Sequence, residues 1–141
     1  MSSTAQIQSF NEQLIAEFRA NGGRTTGPFA NRPLLLLTTT GAKSGQRRTT
    51  PLVHTTDGDR LVVIASMGGA PTSPAWYHNL VANPVVTVEL GTETFQARAM
   101  VAQEPERTRL YDQQAALMPS FAGYQRKTTR QIPVVILERL R

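Results

Sequence analysis

The residues best suited to chemistry lie in a turn at positions 41–45, where two glycines enclose a lysine and a serine. Lys43 is followed closely by Arg47 and Arg48, and hydroxyl side chains flank these cations. From residue 18 to residue 56 the chain contains six lysines and arginines and no acid, whereas the net charge of the whole chain is +5. Positive charge is therefore concentrated here. A cationic loop with glycine amide donors is typical of a site for a phosphate or another compact anion.

Strand alternation predicts which of these cations act together. Arg47 and Arg48 are adjacent in a predicted strand, so their side chains point to opposite faces. We expect Arg48 to join Lys43 and Ser44, because Thr50 continues the row on its face of the strand. The turn lacks the glycine that a nucleotide P-loop places immediately before its Lys-Ser pair, and it leads into a strand rather than a helix. An exposed hairpin turn without a ligand is an equally good interpretation of the same residues.

Three further segments carry candidate functional groups. Residues 66–71 follow an apolar strand, and their two adjacent glycines allow the backbone to approach a flat ligand closely. Residues 73–79 place the only tryptophan, Trp76, on the first turn of a predicted helix, where its indole could cover an aromatic ring. Tyr124, in the basic segment 121–130, is a candidate proton donor. Taken singly, these segments are more simply explained as a flexible loop, a core aromatic and a solvated connector.

Composition excludes several classes of site. The chain has no cysteine, which rules out disulfides, thiolate metal sites and thiol catalysis. Two histidines without an acid cluster beside them do not predict a metal site, and no Gly-x-Ser-x-Gly elbow is present. The pI near 10.4 raises nucleic acid as a partner. However, aromatic residues make up only 6% of the chain and none is interleaved with the basic turn. We therefore expect neither a metal nor a nucleic acid.

Hydrophobic periodicity predicts a mainly β protein with peripheral helices. Apolar residues at helical spacing indicate an amphipathic helix at about residues 3–20 that packs on the core of the domain. A serine–proline pair at 73–74 is typical of a capped helix start. The other expected elements are strands 34–40, 48–55 and 60–66 as a meander, helix 73–82, strands 85–90 and 93–101 as a hairpin, helix 104–118 and strand 133–140. Together they predict one domain, residues 1–141, built as a six-stranded antiparallel barrel.

Four motifs in this order resemble the deazaflavin-dependent nitroreductase family of actinobacteria, a branch of the flavin-binding split-barrel proteins. They are Thr-Thr-Pro-Leu after Arg48, Gly-Gly-Ala-Pro at 68–71, Trp-Tyr-His-Asn-Leu at 76–80, and the segment 124–134, which ends in Ile-Pro-Val. The resemblance extends over nearly all of the chain from Leu34 onward. It implies a split β-barrel and, as hydride donor, reduced 8-hydroxy-5-deazaflavin (coenzyme F-420).

The resemblance also implies where that coenzyme binds. Its phosphate would lie at Lys43, Ser44 and Arg48, and its ring would lie between two strands and the helix that carries Trp76. The implied cofactor-binding residues are Ala42, Lys43, Ser44, Arg48, Thr49, Thr50, Pro51, Leu52, Val53, Ile64, Ala65, Ser66, Met67, Ala75, Trp76, Tyr77, His78 and Asn79. Met67 stands where some members offer a cation to the oligoglutamate tail of the coenzyme, which implies a weaker hold on long tails.

The reaction implied by the resemblance is hydride transfer from the coenzyme to quinones or activated enones, with nitroaromatics as a further class. Ser66 and Tyr124 would supply catalytic hydroxyl donors, and Met118, Phe121 and Tyr124 would line the substrate pocket. Nitro-reducing members carry tyrosines in the segment before Tyr124, whereas Met118 and Phe121 stand here. The pocket is therefore expected to be more apolar, which puts nitro reduction in doubt.

Two alternatives share the same fold. One is a protein that binds ordinary flavin mononucleotide, and the other is a carrier of a hydrophobic ligand without reductase activity. The expected partner is in each case a small molecule. The sequence shows no secretory signal and no apolar run long enough to cross a bilayer. We therefore expect the protein in the cytoplasm, and peripheral contact with the inner face of the cell membrane stays open because quinones reside in lipid.

Overall fold

One antiparallel sheet of seven strands forms the body of the protein in the computed structural model, which describes residues 4–140. The strands are β1 (Leu34–Thr40), β2 (Arg47–Val53), β3 (Thr55–Asp57), β4 (Arg60–Ile64), β5 (Val85–Leu90), β6 (Glu93–Val101) and β7 (Val134–Arg139). Their order across the sheet is β2-β1-β5-β6-β7-β4-β3. The mainly β fold expected from the periodicity is thereby confirmed.

Four α-helices surround the sheet: α1 (Thr4–Ala20), α2 (Ala75–Ala82), α3 (Glu106–Leu117) and α4 (Ser120–Arg126). Single 3-10 turns occur at Gly27–Phe29 and Met67–Gly69. The first three helices lie where the periodicity predicts them, although Ser3, the expected start of α1, is outside the described residues. The fourth helix replaces what the sequence suggests is an irregular connector.

The strand count differs from the expected six because the chain bends at His54. The backbone N–H of His54 donates to the carbonyl oxygen of Pro33 at 2.9 Å rather than to a strand of the sheet. The residues before the bend form β2, which pairs with β1, and those after it form β3, which pairs with β4. β2 and β3 are consecutive in the chain but lie at opposite ends of the strand order. A single residue therefore connects the two ends, and the sheet curls into a split barrel.

The expected meander of the first three strands is only partly correct. β1 and β2 form the predicted hairpin, with Leu37 opposite Thr50, and β5 and β6 form the second predicted hairpin. β4, however, pairs with β3 and on its other side with β7, where Val63 lies opposite Val135. The bend at His54 causes this difference because it carries the chain away from the first hairpin before β4 begins.

β1 is buried on both faces, which explains its unbroken run of four leucines. Leu35 and Leu37 point into the barrel and belong to the central core cluster. Leu34 and Leu36 point outward and pack against α1 in a cluster that includes Phe18. A strand covered on both faces has no need of alternating polar residues. The amphipathic helix α1 therefore packs on the core of the domain, as its pattern predicts.

A buried network from α3 holds α4 in place. The guanidinium of Arg107 donates to the carbonyl oxygen of Ile132 at 3.0 and 2.7 Å and to Gln125 Oε1 at 2.7 Å. The Tyr111 hydroxyl donates to the carbonyl oxygen of Phe121. With seven residues, α4 is too short to be stable on its own. Because tertiary contacts form this helix, local sequence patterns do not reveal it.

Candidate functional site

A cleft of about 430 Å³ opens between β2, β4, the 66–69 turn, the start of α2 and α4. Its walls bring together residues that are far apart in the sequence. They are Phe29, Arg32, Thr50, Pro51, Leu52, Val53, Ile64, Ser66, Met67, Gly68, Pro74, Trp76, Ser120, Phe121 and Tyr124. Most of the exposed wall is carbon, and a mainly apolar cleft with a few polar groups is the usual form of a cofactor site.

The alternation of β2 separates its two arginines as the sequence predicts. Thr50 lies opposite Leu37, an interior residue of β1, so the row that contains Arg48 and Thr50 faces the barrel side. Arg47 points to the other face and donates to Thr87 Oγ1 at 3.0 Å. Arg48 is exposed and lies two residues, about 7 Å of strand, beyond Thr50.

The cationic turn itself is outside the cleft, at the end of the strand that lines it. Lys43 and Ser44 are exposed, and neither they nor Arg48 contribute to the cleft wall. The Ser44 hydroxyl accepts a hydrogen bond from the backbone N–H of Gln46 at 3.1 Å, which stabilises the turn. A molecule that extends from the cleft along β2 would therefore meet these cations with its far end.

Asn79 on α2 attaches the turn to the rest of the site. Its Oδ1 accepts from the backbone N–H of Ala42 at 3.0 Å, and its Nδ2 donates to Thr39 Oγ1 at 3.2 Å. Thr39 is a buried residue of β1. Because both ends of the Asn79 amide are engaged by the protein, this side chain positions the turn rather than facing the cleft.

Among the other expected contacts on α2, the structure brings only Trp76 to the cleft. Its side chain is 6% exposed and belongs to both the central core and the cleft wall. Ala75 and His78 are exposed, and the half-buried Tyr77 packs edge-on against the His78 ring at 5.5 Å. On β2, Thr49 turns away from the cleft, and its hydroxyl shares a hydrogen bond of 2.7 Å with that of Thr38.

Ser66 and Tyr124, which are distant in the sequence, both line this cleft. Ser66 is buried, whereas Tyr124 is partly exposed. The Tyr124 ring packs edge-on against Phe121 at a centroid distance of 5.1 Å, and Lys127 Nζ lies 5.8 Å from the ring centroid. The Tyr124 ring therefore has one aromatic and one cationic neighbour.

Arg130 is a residue of the site that the sequence analysis missed. Its Nε donates to the carbonyl oxygen of Ala70 at 2.8 Å, and its Nη2 donates to that of Ser66 at 2.8 Å. Nη1 lies 3.3 Å from Ser73 Oγ. Ser73 therefore accepts from Arg130 and does not cap α2 as expected; the residue that precedes the helix is Pro74, without a side-chain cap. One arginine thus fixes the whole segment between β4 and α2.

The 66–69 turn also depends on one glycine. Gly69 has a φ of +85°, and a Cβ added there would lie 2.8 Å from the carbonyl oxygen of Tyr124. A side chain at this position would therefore push the turn away from α4. The sequence predicted a close approach of both glycines to a flat ligand; the close approach seen at Gly69 is to α4, and Gly68 has no neighbour within 4 Å of such a Cβ.

Two further residues of the expected site also lie outside the cleft. Met118 is buried beside Phe121 in the cluster under α3 and α4, and it lines a second cavity instead of the cleft. Ala65 is completely buried, and its carbonyl oxygen accepts from Arg130 Nη2 at 3.3 Å. The position of Met118 depends on how α4 folds back, whereas Ala65 continues the inward row of Val63 into the central core.

Comparison with known proteins identifies the family. A family model described as F420H(2)-dependent quinone reductase matches residues 12–139. The chain belongs to this quinone reductase family. The F420H(2)-dependent quinone reductase Rv1261c of Mycobacterium tuberculosis (strain ATCC 25618 / H37Rv) is 46% identical over 110 residues, which cover 76% of this chain and 74% of that protein. Membership confirms the resemblance to deazaflavin-dependent reductases.

Solved structures support the same assignment for this quinone reductase family member. The structure of F420-H2 Dependent Reductase (FDR-A) is 41% identical, with a TM-score of 0.70, and the match covers 76% of this chain and 95% of that chain. A structure described as a domain-swapped dimer is 36% identical, with a TM-score of 0.72, over 97% of this chain and 100% of that chain. The split barrel is therefore the fold of the family.

Residues 4–140 of this family member contain no group of three or more His, Asp or Glu side chains that could hold a metal ion. Within the same residues, no helix combines the length and the apolar character needed to cross a membrane.

Proposed function

We propose that this protein reduces quinones with the reduced deazaflavin coenzyme F-420 as hydride donor. One observation carries the proposal: within the quinone reductase family fold, Ser66 and Tyr124 line a mainly apolar cleft, and exposed cations lie at the end of β2, a strand that lines the same cleft. The coenzyme and the substrate class are those in the names of the family and of its relatives. A mainly apolar cleft with a few hydroxyl groups is compatible with a coenzyme ring and with a quinone ring.

The cleft and the cationic turn together suit a molecule with a planar ring and an anionic tail. Leu52, Ile64 and Trp76 offer apolar surfaces to the ring. Lys43, Ser44 and Arg48 would hold the phosphate, since exposed cations and a hydroxyl group at a glycine turn are suited to that anion.

The contributions of the protein are binding, orientation and hydrogen bonding. When bound, reduced F-420 supplies a hydride and releases a proton, so that a quinone takes up two electrons and two protons and becomes a hydroquinone. The Ser66 and Tyr124 hydroxyls would donate to the carbonyl oxygen on which negative charge develops. Ser66 is buried and Tyr124 is partly exposed, so Tyr124 is the hydroxyl with the more direct access to solvent.

Binding and turnover can be tested separately. The purified protein is titrated with F-420 and with flavin mononucleotide, and reduced F-420 is then mixed with quinones, enones and nitroarenes while its reoxidation is followed by absorbance. We expect tight binding of F-420 alone and reoxidation by quinones. Preferential binding of flavin mononucleotide would contradict the proposed coenzyme. Binding of F-420 without reoxidation by any acceptor would favour a carrier.

We also propose that the protein works in the cytoplasm and meets lipid-borne quinones at the inner face of the membrane. Exposed Met67 at the cleft supports this contact. A fraction of the protein should co-sediment with lipid vesicles that contain a quinone. Protein that stays entirely in the supernatant would contradict the peripheral contact but not the reductase activity.

A further inference from the structure

A second and larger cavity lies beside the cleft. Its volume is about 930 Å³, within the range of ligand sites. It is bounded by the segment 31–33, by the bend at His54 with β3, and by the end of α3 up to Ser120. None of the residues assigned to the coenzyme phosphate or to the two hydroxyl donors lines this cavity.

The lining of this second cavity suits an apolar chain. Most of its exposed wall is carbon, and Pro33, Leu117 and Met118 contribute to it. Leu117 is 69% exposed although it is a large aliphatic residue. Among the described residues that line the cavity, Arg32 is the only lysine, arginine or acid. Burial lowers the pKa of His54, which keeps its imidazole neutral.

The two cavities adjoin. Arg32 and Ser120 line both of them and therefore form the boundary between them. A molecule with a ring in the cleft beside Tyr124 could pass an unbranched substituent across this boundary. The exposed Leu117 would then be covered by that substituent, which gives a physical reason for an aliphatic residue at this surface.

We propose that the second cavity binds an aliphatic substituent of the quinone whose ring is reduced in the cleft. This inference rests on the proposed function and adds a specificity site to it. The determinant residues are Leu117 and its neighbour Ala116 on α3, with Pro33 opposite.

A homologous series of quinones tests the inference. The probes are 2-methyl-1,4-naphthoquinone and its 3-pentyl and 3-decyl derivatives. Dissociation constants are measured by calorimetry, with and without oxidised F-420, and KM is measured with reduced F-420. In the wild-type protein both constants should fall as the chain lengthens. Leu117→Glu should weaken binding of the decyl compound about tenfold, the equivalent of losing burial of about two methylene groups, without changing that of the methyl compound.

Leu140→Glu is the matched control, because Leu140 is also exposed and lies at the far end of β7. It should leave the chain-length dependence intact. Affinity independent of chain length, or a dependence that Leu117→Glu leaves unchanged, would overturn the inference. If no quinone reoxidises F-420 but binding still depends on chain length and on Leu117, the cavity assignment survives while the proposed reductase function fails.

Discussion

At the scale of single residues, the contrast between Arg48 and Arg47 is the sharpest test of the anion site. They are neighbours on β2, both exposed, but Arg48 lies on the row of Thr50 and Arg47 donates to Thr87. We predict that Arg48→Gln weakens F-420 binding about tenfold, the worth of one charge-assisted contact. Arg47→Gln should leave it nearly unchanged. Fluorescence titration measures the dissociation constant of F-420 for each variant. Equal effects of the two substitutions would refute the assignment of Arg48 to the anion site.

Tyr124 supports a second prediction at this scale. Tyr124→Phe removes one hydroxyl from the cleft and keeps the ring that packs on Phe121. We expect kcat with a quinone to fall at least about tenfold, because a donor to the developing oxyanion is lost. The dissociation constant of F-420 should stay within about twofold of the wild-type value, because this donor acts only in the transition state. Tyr77→Phe is the control, since Tyr77 does not line the cleft. An unchanged kcat for Tyr124→Phe would exclude Tyr124 as donor.

At the scale of elements, Arg130 connects the segment between α4 and β7 to the segment between β4 and α2. Arg130→Met removes donors from the carbonyl groups of Ser66 and Ala70. We predict a free energy of unfolding lower by about 1–3 kcal/mol and weaker F-420 binding, with kcat at saturation largely kept. Arg126→Met, on exposed α4 surface, is the control. If Arg130→Met lowers stability without any change in F-420 affinity, its role is structural only.

The turn between β3 and β4 provides a pH-dependent prediction. Asp57 accepts hydrogen bonds from Arg109 and from Arg60, and these guanidinium groups lower its pKa from the ordinary 3.8. A lowered pKa in the folded state stabilises the protein above pH 3.8, and that contribution disappears as the pH falls through the folded value. Asp57→Asn should therefore be less stable than wild type near neutral pH, and the difference should vanish in acid. Denaturant unfolding at several pH values measures the difference in free energy of unfolding between the two proteins. A difference that does not change with pH would contradict a stabilising role of the Asp57 carboxylate.

At the scale of the whole molecule, we propose that the chain is one cooperative unit. The curled sheet joins its two ends through His54, and the single tryptophan, Trp76, belongs to the central core. Unfolding followed by tryptophan fluorescence should coincide with unfolding followed by far-UV circular dichroism. Two separate transitions would show that the cleft side of the barrel unfolds independently.

The sequence by itself determined the local features of this protein. Periodicity predicted the β-rich fold, the first three helices and the two hairpins, because these depend on contacts close in the chain. Charge counting located the cationic turn, and alternation along β2 separated Arg48 from Arg47. The ordered motifs indicated the family, and the family match confirms them.

Only the tertiary structure decided the rest, since it depends on contacts between distant residues. The hydrogen bond from His54 to Pro33 turns one expected strand into two and closes the barrel. The buried Arg107 network holds α4 in place. In this arrangement Tyr124 and Ser66 line the same cleft, whereas Met118 lines the second cavity. A short segment has no intrinsic signal for a partner many residues away, so these placements could not be read from local pattern.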